Sequence, residues 1–582
     1  MERIINQAVV AHKEGKFEEA ELLYRKILQT QNTHPDANHN LGVIVAHMNK
    51  PDTAIPLFKT AVESAPHIEQ FWISYISALV NEKRFKEAEL VCRQAIKLNP
   101  NFARVYRSSG IIFFQLHKLE EAKISFKKAI KLNPDIPDPH NNLGIIFYQL
   151  KNFQEAESSF KKAIRLNPNY AEAHNNLGST LLESNKTKEA EKSYEKAIEL
   201  NPNYAQAYNN LGVIHQEVKK LKEAEKNFKK AITLKTDYAE AYNNLGTTLY
   251  HLGKLEEAEI IYKKATTLKN KYAEAYFNLS MVKDFLNNLN EMIFQLEKLI
   301  EINDDNYSLK ARVNLAILKF LDDDFISSKK LLLASSKIHK KIDLDFKIHQ
   351  SFHDYLTKIL NLHESIPFKN YNKNSNRKIY VIGESHSLVS HRLNIQSTRG
   401  EFVCKSILIM GCKQWHIGNG DRNRFKKKFD TIFNNIPKSS EILLSIGEID
   451  CRLDEGIIKY RNKNPKINQI DLIEATIENY LNYVFKINFK YKHNVTIQGI
   501  PCPNIQTKNI PREKVNELIT LIKQFNILLK KKSIKIGFNF LDLHELTDRG
   551  DGSSNKVWHL DSHHLSHKAM QKAWSKHFLN NK

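Results

Sequence analysis

Apolar and small residues recur over the first 340 or so positions at a spacing of about 34. The run Asn169-Tyr170-Ala171-Glu172-Ala173-His174-Asn175-Asn176-Leu177-Gly178 returns as Asn203-Tyr204-Ala205-Gln206-Ala207-Tyr208-Asn209-Asn210-Leu211-Gly212, and again from Tyr238 to Gly246. Each unit predicts two antiparallel helices, with Leu-Gly on the first, Ala then an aromatic then Ala on the second, and often Pro at the close. In the unit starting near residue 171 these positions are Leu177, Gly178, Ala190, Tyr194, Ala197 and Pro202; in the one before it, Leu143, Gly144, Ala156, Phe160, Ala163 and Pro168. The small residues let the two backbones approach, and the large ones fill the space between units. A single pair cannot bury its apolar face, so neighbours must stack. Eight such units start near residues 1, 35, 69, 103, 137, 171, 205 and 239. A ninth from about 273 has decayed, with Met292 where Ala belongs, and a tenth around 307–342 is degenerate, as a capping unit would be.

From about residue 343 the rhythm changes. A helix is expected through His363, and the polar stretch Asn370 to Asn376 reads as a linker. Strand candidates follow at Arg377 to Ile382, Ser406 to Met410, Glu441 to Ile446, Asn494 to Ile500 and Gly537 to Leu543. Helical stretches such as Leu472 to Phe485 and Arg512 to Lys530 separate them. Alternating strands and helices imply a parallel sheet covered on both faces. The expected organisation is a helical array over 1–342, a helix and linker over 343–376, and an α/β domain over 377–582.

The N-terminal units resemble tetratricopeptide repeats (TPR), an all-α superhelical solenoid. In that fold the residue before the Leu lines the concave face, and here it is Asn at 40, 142, 176, 210, 244, 278 and 314. The resemblance implies a protein or extended-peptide partner held by Asn142, Asn176, Asn210, Asn244 and Asn278. These Asn are equally the ordinary residues of the repeat, and Ser74 and Ser108 interrupt the series.

The C-terminal blocks resemble the SGNH/GDSL hydrolases, whose parallel sheet is flavodoxin-like. Gly383-Glu384-Ser385 matches the nucleophile block, with Glu for the family's Asp, and Asp561-Ser562-His563-His564 matches the final block. Gly411 stands where an oxyanion N–H is expected. Gly447-Glu448-Ile449-Asp450 falls on the third block, with Ile449 replacing its Asn. A serine hydroxyl needs a base within hydrogen-bond reach, and that base needs a group to fix its tautomer. The resemblance therefore implies Ser385, His564 and Asp561 as a triad, with the N–H groups of Ser385 and Gly411 as oxyanion donors. Ile449 cannot donate, and Arg452 or His386 is the nearest candidate to replace it. Two functions follow as alternatives: a repeat-scaffolded esterase or acyltransfer enzyme for ester-linked acyl groups, a glycan among the carriers considered, or a non-catalytic adaptor with an inactive domain. A repeat-fused glycosyltransferase fails on length, since the residues after the linker cannot supply two nucleotide-sugar domains.

Composition changes this picture little. The net charge of +22 would suit an acidic partner, but lysines recur on helix faces as in Phe160-Lys161-Lys162, where a solvated surface is expected, and nucleic acid is not. Five cysteines without a Cys-x-x-Cys pair argue against disulfides and zinc. His559, His563 and His567 would share one face of a continuous helix, but the block match puts that stretch partly in a loop; beside it, Trp558 is either a pocket wall or core. No cofactor or metal is expected. Glu2 and the lack of an early apolar core do not fit a secretory signal, and no apolar run could span a bilayer, so a cytoplasmic location is expected.

Overall fold

The computed structural model describes residues 2–339, 347–365, 377–397, 400–420, 423–452, 456–503, 510–551, 553–557, 559 and 564–580. Two compact units divide the chain, residues 1–235 and 236–582.

The first unit is seven helix pairs, from Glu2–Lys13 with Phe17–Thr30 to Ala205–Glu217 with Leu221–Leu234. Complementary volumes set the packing inside each pair. A β-carbon added at Gly178 would lie 2.7 Å from the Tyr194 ring, and one at Gly144 2.7 Å from the Phe160 ring. The aromatic side chain thus lies directly on the glycine backbone. The third pair reaches the same total volume in reverse, with Ile76 and Cys92 both buried at the equivalent positions. Because Tyr194 is buried and cannot swing away, Gly178→Val is expected to destabilise this unit by about 1–3 kcal/mol. Adding Tyr194→Leu should recover part of that loss, a non-additivity readable by denaturant unfolding of the single and double variants.

The second unit opens with three more pairs: Ala239–His251 with Leu255–Leu268, Ala273–Phe285 with Leu289–Ile302, and Asp305–Leu321 with Phe325–His339. The ninth and tenth units are therefore complete helix pairs despite their decayed sequence. In the ninth, Ser280 and Leu296 occupy the glycine and aromatic positions, and both are buried, as is Met292. A larger residue opposite a smaller one conserves volume, which is what a core tolerates best.

Helix Lys347–Ser365 follows, and then six strands: β1 (Lys378–Gly383), β2 (Asn394–Ser397), β3 (Gly400–Leu408), β4 (Glu441–Ser445), β5 (Asn494–Gln498) and β6 (Asn539–Leu541). Their order across the sheet is β2-β3-β1-β4-β5-β6. All neighbours are parallel except β2, which pairs antiparallel with β3 from Asn394↔Val403 to Ser397↔Gly400. The sheet is thus mixed where a wholly parallel one was expected. The reason is local: four residues, three of them polar, are too short to show a strand period, and their return pairing starts β3 at Gly400 rather than Ser406.

The compact units do not divide over 343–376, where the sequence placed the domain boundary. The residues 340–346 and 366–376 of that stretch lie outside the described residues. One buried cluster joins Leu309, Val313, Phe320 and Leu332 of the tenth pair and Phe352, Tyr355, Leu356 and Ile359 of helix Lys347–Ser365 to Val381, Leu388, Leu443, Leu565 and Trp574 of the α/β part. Apolar faces on the last helices that a terminal cap would leave to solvent are instead covered by the sheet region. Polar contacts reinforce the join. Lys428 pairs with Asp284, Arg392 with Asp323, and the Arg424 guanidinium stands 4.3 Å above the Tyr250 ring.

Candidate functional site

The end of β1 fixes the first site residue. Gly383 faces Ser445 across the β1–β4 pair, and a β-carbon on Gly383 would sit 2.2 Å from the Ser445 carbonyl oxygen. Only glycine permits that approach, and the chain then turns at once into the short 3₁₀ helix Ser385–Ser390. Ser385 is thereby held at the carboxyl end of the central parallel strands, the edge at which open α/β sheets carry their ligands.

His564 enters from the far end of the sequence, just before helix His567–Asn580. Its Nε2 lies 3.0 Å from Ser385 Oγ, across a separation of 179 positions, and both residues are buried. The imidazole is stacked on Tyr355, with ring centroids 3.7 Å apart and planes at 16°. Tyr355 belongs to helix Lys347–Ser365 and is fully buried, so the element that follows the repeats forms one wall of the histidine's site. The His386 ring lies 5.1 Å from that of His564. Asp561, the expected third member, lies outside the described residues, as do Trp558 and His563.

Glu384 brings a contact that sequence reading missed. Its carboxylate accepts the Ser385 backbone N–H at 2.5 Å and also the Ser385 hydroxyl. The N–H expected to serve an oxyanion is therefore already engaged by a carboxylate. Gly411 lies just past β3 in a left-handed conformation, with φ +72°. Arg452, considered as a replacement donor, instead forms a bidentate pair with Glu448, with bonds of 2.7–3.1 Å. A cavity of about 10 Å³ beside these groups, lined by Glu384, His386, Cys412, Gly447 and Gln498, has room for about one water. A larger one of about 510 Å³ lies between the ninth and tenth pairs and β3, walled by Met292, Leu318, Ile407 and Met410, the last next to Gly411.

The third block is anchored from below. Asp450 is buried and accepts the backbone N–H groups of Gln414 at 2.8 Å and Trp415 at 3.5 Å. Gln414 Nε2 in turn donates to the Ile446 carbonyl at 2.7 Å. Burial raises the Asp450 carboxyl to about 6, against the pull of those two N–H donors. A carboxyl whose folded pKa lies above its unfolded value favours the fold when protonated, so this contribution is present below about pH 4 and is lost as pH rises through about 6. Of the histidines at four-residue spacing, His567 opens the last helix, while His559 pairs with Leu565 in an isolated antiparallel bridge and with Ser554 Oγ at 2.9 Å. They share no continuous helix.

The Asn ladder stitches repeats together. Asn176 Nδ2 donates to Asn141 Oδ1 at 3.1 Å, and Asn210 Nδ2 to Asn175 Oδ1 at 3.0 Å. In the second unit Asn278 Nδ2 donates to Asn243 Oδ1 at 3.1 Å. The acceptors are buried, whereas Asn142, Asn176, Asn210, Asn244 and Asn278 are half-buried. The paired Asn-Asn step at 141–142, 175–176, 209–210 and 243–244 was the available signal. At Asn141, Asn175 and Asn243 its first residue receives the amide of the following unit.

Tetratricopeptide-repeat family models match residues 40–101, 110–151, 135–203, 203–271 and 273–306. Among solved structures, MamA is 27% identical over 30% of this chain and 94% of its own, with a TM-score of 0.26. YrrB, described as a TPR protein with an unusual peptide-binding site, is 24% identical over 32% of this chain and 96% of its own, with a TM-score of 0.28. A tetratricopeptide repeat protein from Parabacteroides merdae is 18% identical over 43% and 98%, with a TM-score of 0.35. The search of curated protein sequences gives no match. Among the described residues, no helix is long and apolar enough to cross a membrane.

Proposed function

We propose that this chain, whose N-terminal 330 or so residues are a tetratricopeptide-repeat interaction scaffold, carries at its C-terminal end an SGNH-type serine esterase or acyltransfer site. The observation that carries the reading is the 3.0 Å approach of His564 Nε2 to Ser385 Oγ at the carboxyl edge of the sheet. In this reading His564 takes the hydroxyl proton as Oγ attacks an ester carbonyl, and later returns it to the leaving alcohol. Asp561 is assigned, by the family's block alone, to support the imidazolium. The five parallel strands, taken by themselves, run β3-β1-β4-β5-β6, the order of a flavodoxin-like sheet. The repeats would bring a protein or extended peptide, and the acyl-ester carrier with it, to the site.

One set of observations favours the alternative, a non-catalytic adaptor. Ile449 replaces the family's amide donor, and Glu384 occupies both the N–H and the hydroxyl of Ser385. Loss of a single oxyanion donor costs roughly 100- to 1,000-fold in turnover. Ile449→Asn is accordingly expected to raise hydrolysis of a short p-nitrophenyl acyl ester, and Ser385→Ala in the same background to erase the gain. A gain that survives Ser385→Ala would refute Ser385 as nucleophile, and no turnover in either form would favour the adaptor.

A further inference from the structure

At the same edge of the sheet, three ligand-type side chains converge that take no part in the proposed esterase chemistry. Cys502 lies in the segment after β5, and His544 and Asp548 lie at the start and just past the end of helix Leu543–Thr547, which follows β6. Because β5 and β6 are parallel neighbours, their carboxyl ends bring these segments together. Cys502 Sγ stands 3.2 Å from His544 Nδ1 and 3.8 Å from Nε2. One ligand atom from each of the three residues lies within 4.8 Å of the others.

We propose that Cys502, His544 and Asp548 form a binding site for a zinc-type divalent cation, with thiolate, imidazole and carboxylate as ligands and one position left for water or a further group. A tetrahedral ion with bonds of about 2.3 Å to sulfur and about 2.0 Å to nitrogen holds those two atoms about 3.5 Å apart. The observed 3.2 Å between Cys502 Sγ and His544 Nδ1 lies within a few tenths of an ångström of that spacing. The mixed donor set, one soft sulfur with one nitrogen and one oxygen, suits zinc and disfavours calcium or magnesium, which take oxygen ligands.

The surroundings hold the ligands in place. The Cys502 backbone N–H donates to Thr547 Oγ1 at 2.8 Å, and that hydroxyl donates to the Leu543 carbonyl at 2.7 Å, which ties the cysteine to the helix bearing His544. The Gly550 N–H donates to Asp548 Oδ1 at 2.7 Å and orients the carboxylate. Such outer contacts set the direction of metal ligands. On binding, the S–H bond breaks, its proton passes to solvent and an S–metal bond forms. The sequence hid the site because its cysteine and histidine are far apart, where a close Cys pair is the usual signal.

The test is metal binding by the purified full-length chain after treatment with a chelator. One equivalent of Co²⁺ is expected to bind and produce a thiolate-to-cobalt charge-transfer absorption, and Zn²⁺ should displace it. Cys502→Ser should abolish that absorption. Asp548→Asn should keep the absorption and weaken zinc binding by more than the roughly 10- to 100-fold that loss of an outer contact costs. The proposal is overturned if no cobalt is taken up, or if the absorption persists in Cys502→Ser, since the four other cysteines would then supply the thiolate. If Cys502→Ser does not fold by circular dichroism, Asp548→Asn and His544→Gln decide, and unchanged zinc affinity in both overturns it.

Discussion

A fragment beginning at residue 377 is expected to be largely unfolded, while a chain beginning at residue 236 keeps the α/β part folded. The core of the sheet region is not its own: eleven of its buried residues, from Leu309 to Leu360, come from the tenth helix pair and helix Lys347–Ser365. Each large apolar side chain withdrawn from such a core costs about 1.5–3 kcal/mol. Losing even half of them matches or exceeds the roughly 5–15 kcal/mol by which an ordinary domain is stable. The fragment would also expose the face of β1 and of the 3₁₀ helix carrying Ser385, because Val381 and Leu388 belong to that same core. Far-ultraviolet circular dichroism and proteolysis of the two chains read the outcome. A cooperative thermal transition in the 377–582 fragment, with resistance to protease, would mean that the shared core contributes little.

That result bears on what the sequence could reveal. The repeat period exposed the helix pairs through the eighth unit because local packing inside most pairs uses the same small and large residues. In the ninth pair Met292 breaks the consensus, and Ser280 and Leu296 take the glycine and aromatic positions while keeping the volume, so the pair persists where its pattern fades. Strands β1, β4 and β5 fall within a residue or two of their expected positions, their apolar runs being long enough to stand out. The β2 edge strand was hidden by its length. Ser385 and His564 stand out in the sequence through the blocks around them, and their 3.0 Å approach is a property of the sheet order. Tyr355 could not be found: nothing in the run Asp354-Tyr355-Leu356 distinguishes a tyrosine stacked on a distant histidine from one facing the core. Glu384 was read as a stand-in for Asp, and its longer side chain is what lets the carboxylate fold back onto its neighbour Ser385.

The second large effect expected is on catalysis. Replacing Ser385 with Ala or His564 with Gln should each lower ester hydrolysis by about 10⁴-fold or more relative to the Ile449→Asn background, since nucleophile and base act as one unit and losing either removes the step. The double variant should be no worse than either single one. Tyr355→Leu belongs to the same experiment as a positioning test. It leaves the proton-transfer pair intact but removes the ring stacked on the imidazole, so turnover should fall while the Michaelis constant changes little, and Tyr355→Phe should restore it. Undiminished activity in Ser385→Ala and His564→Gln would place the chemistry elsewhere.

The most direct test of the Ser385–His564 pair is covalent labelling of the folded full-length chain by a fluorophosphonate probe, with the modified residue identified by peptide mass spectrometry. The account predicts a phosphonylated Ser385 in the native chain, a strongly reduced rate in His564→Gln, and none in Ser385→Ala or in the heat-denatured protein. A native, folded chain whose Ser385 remains unmodified, or one that labels at the same rate without His564, would contradict it.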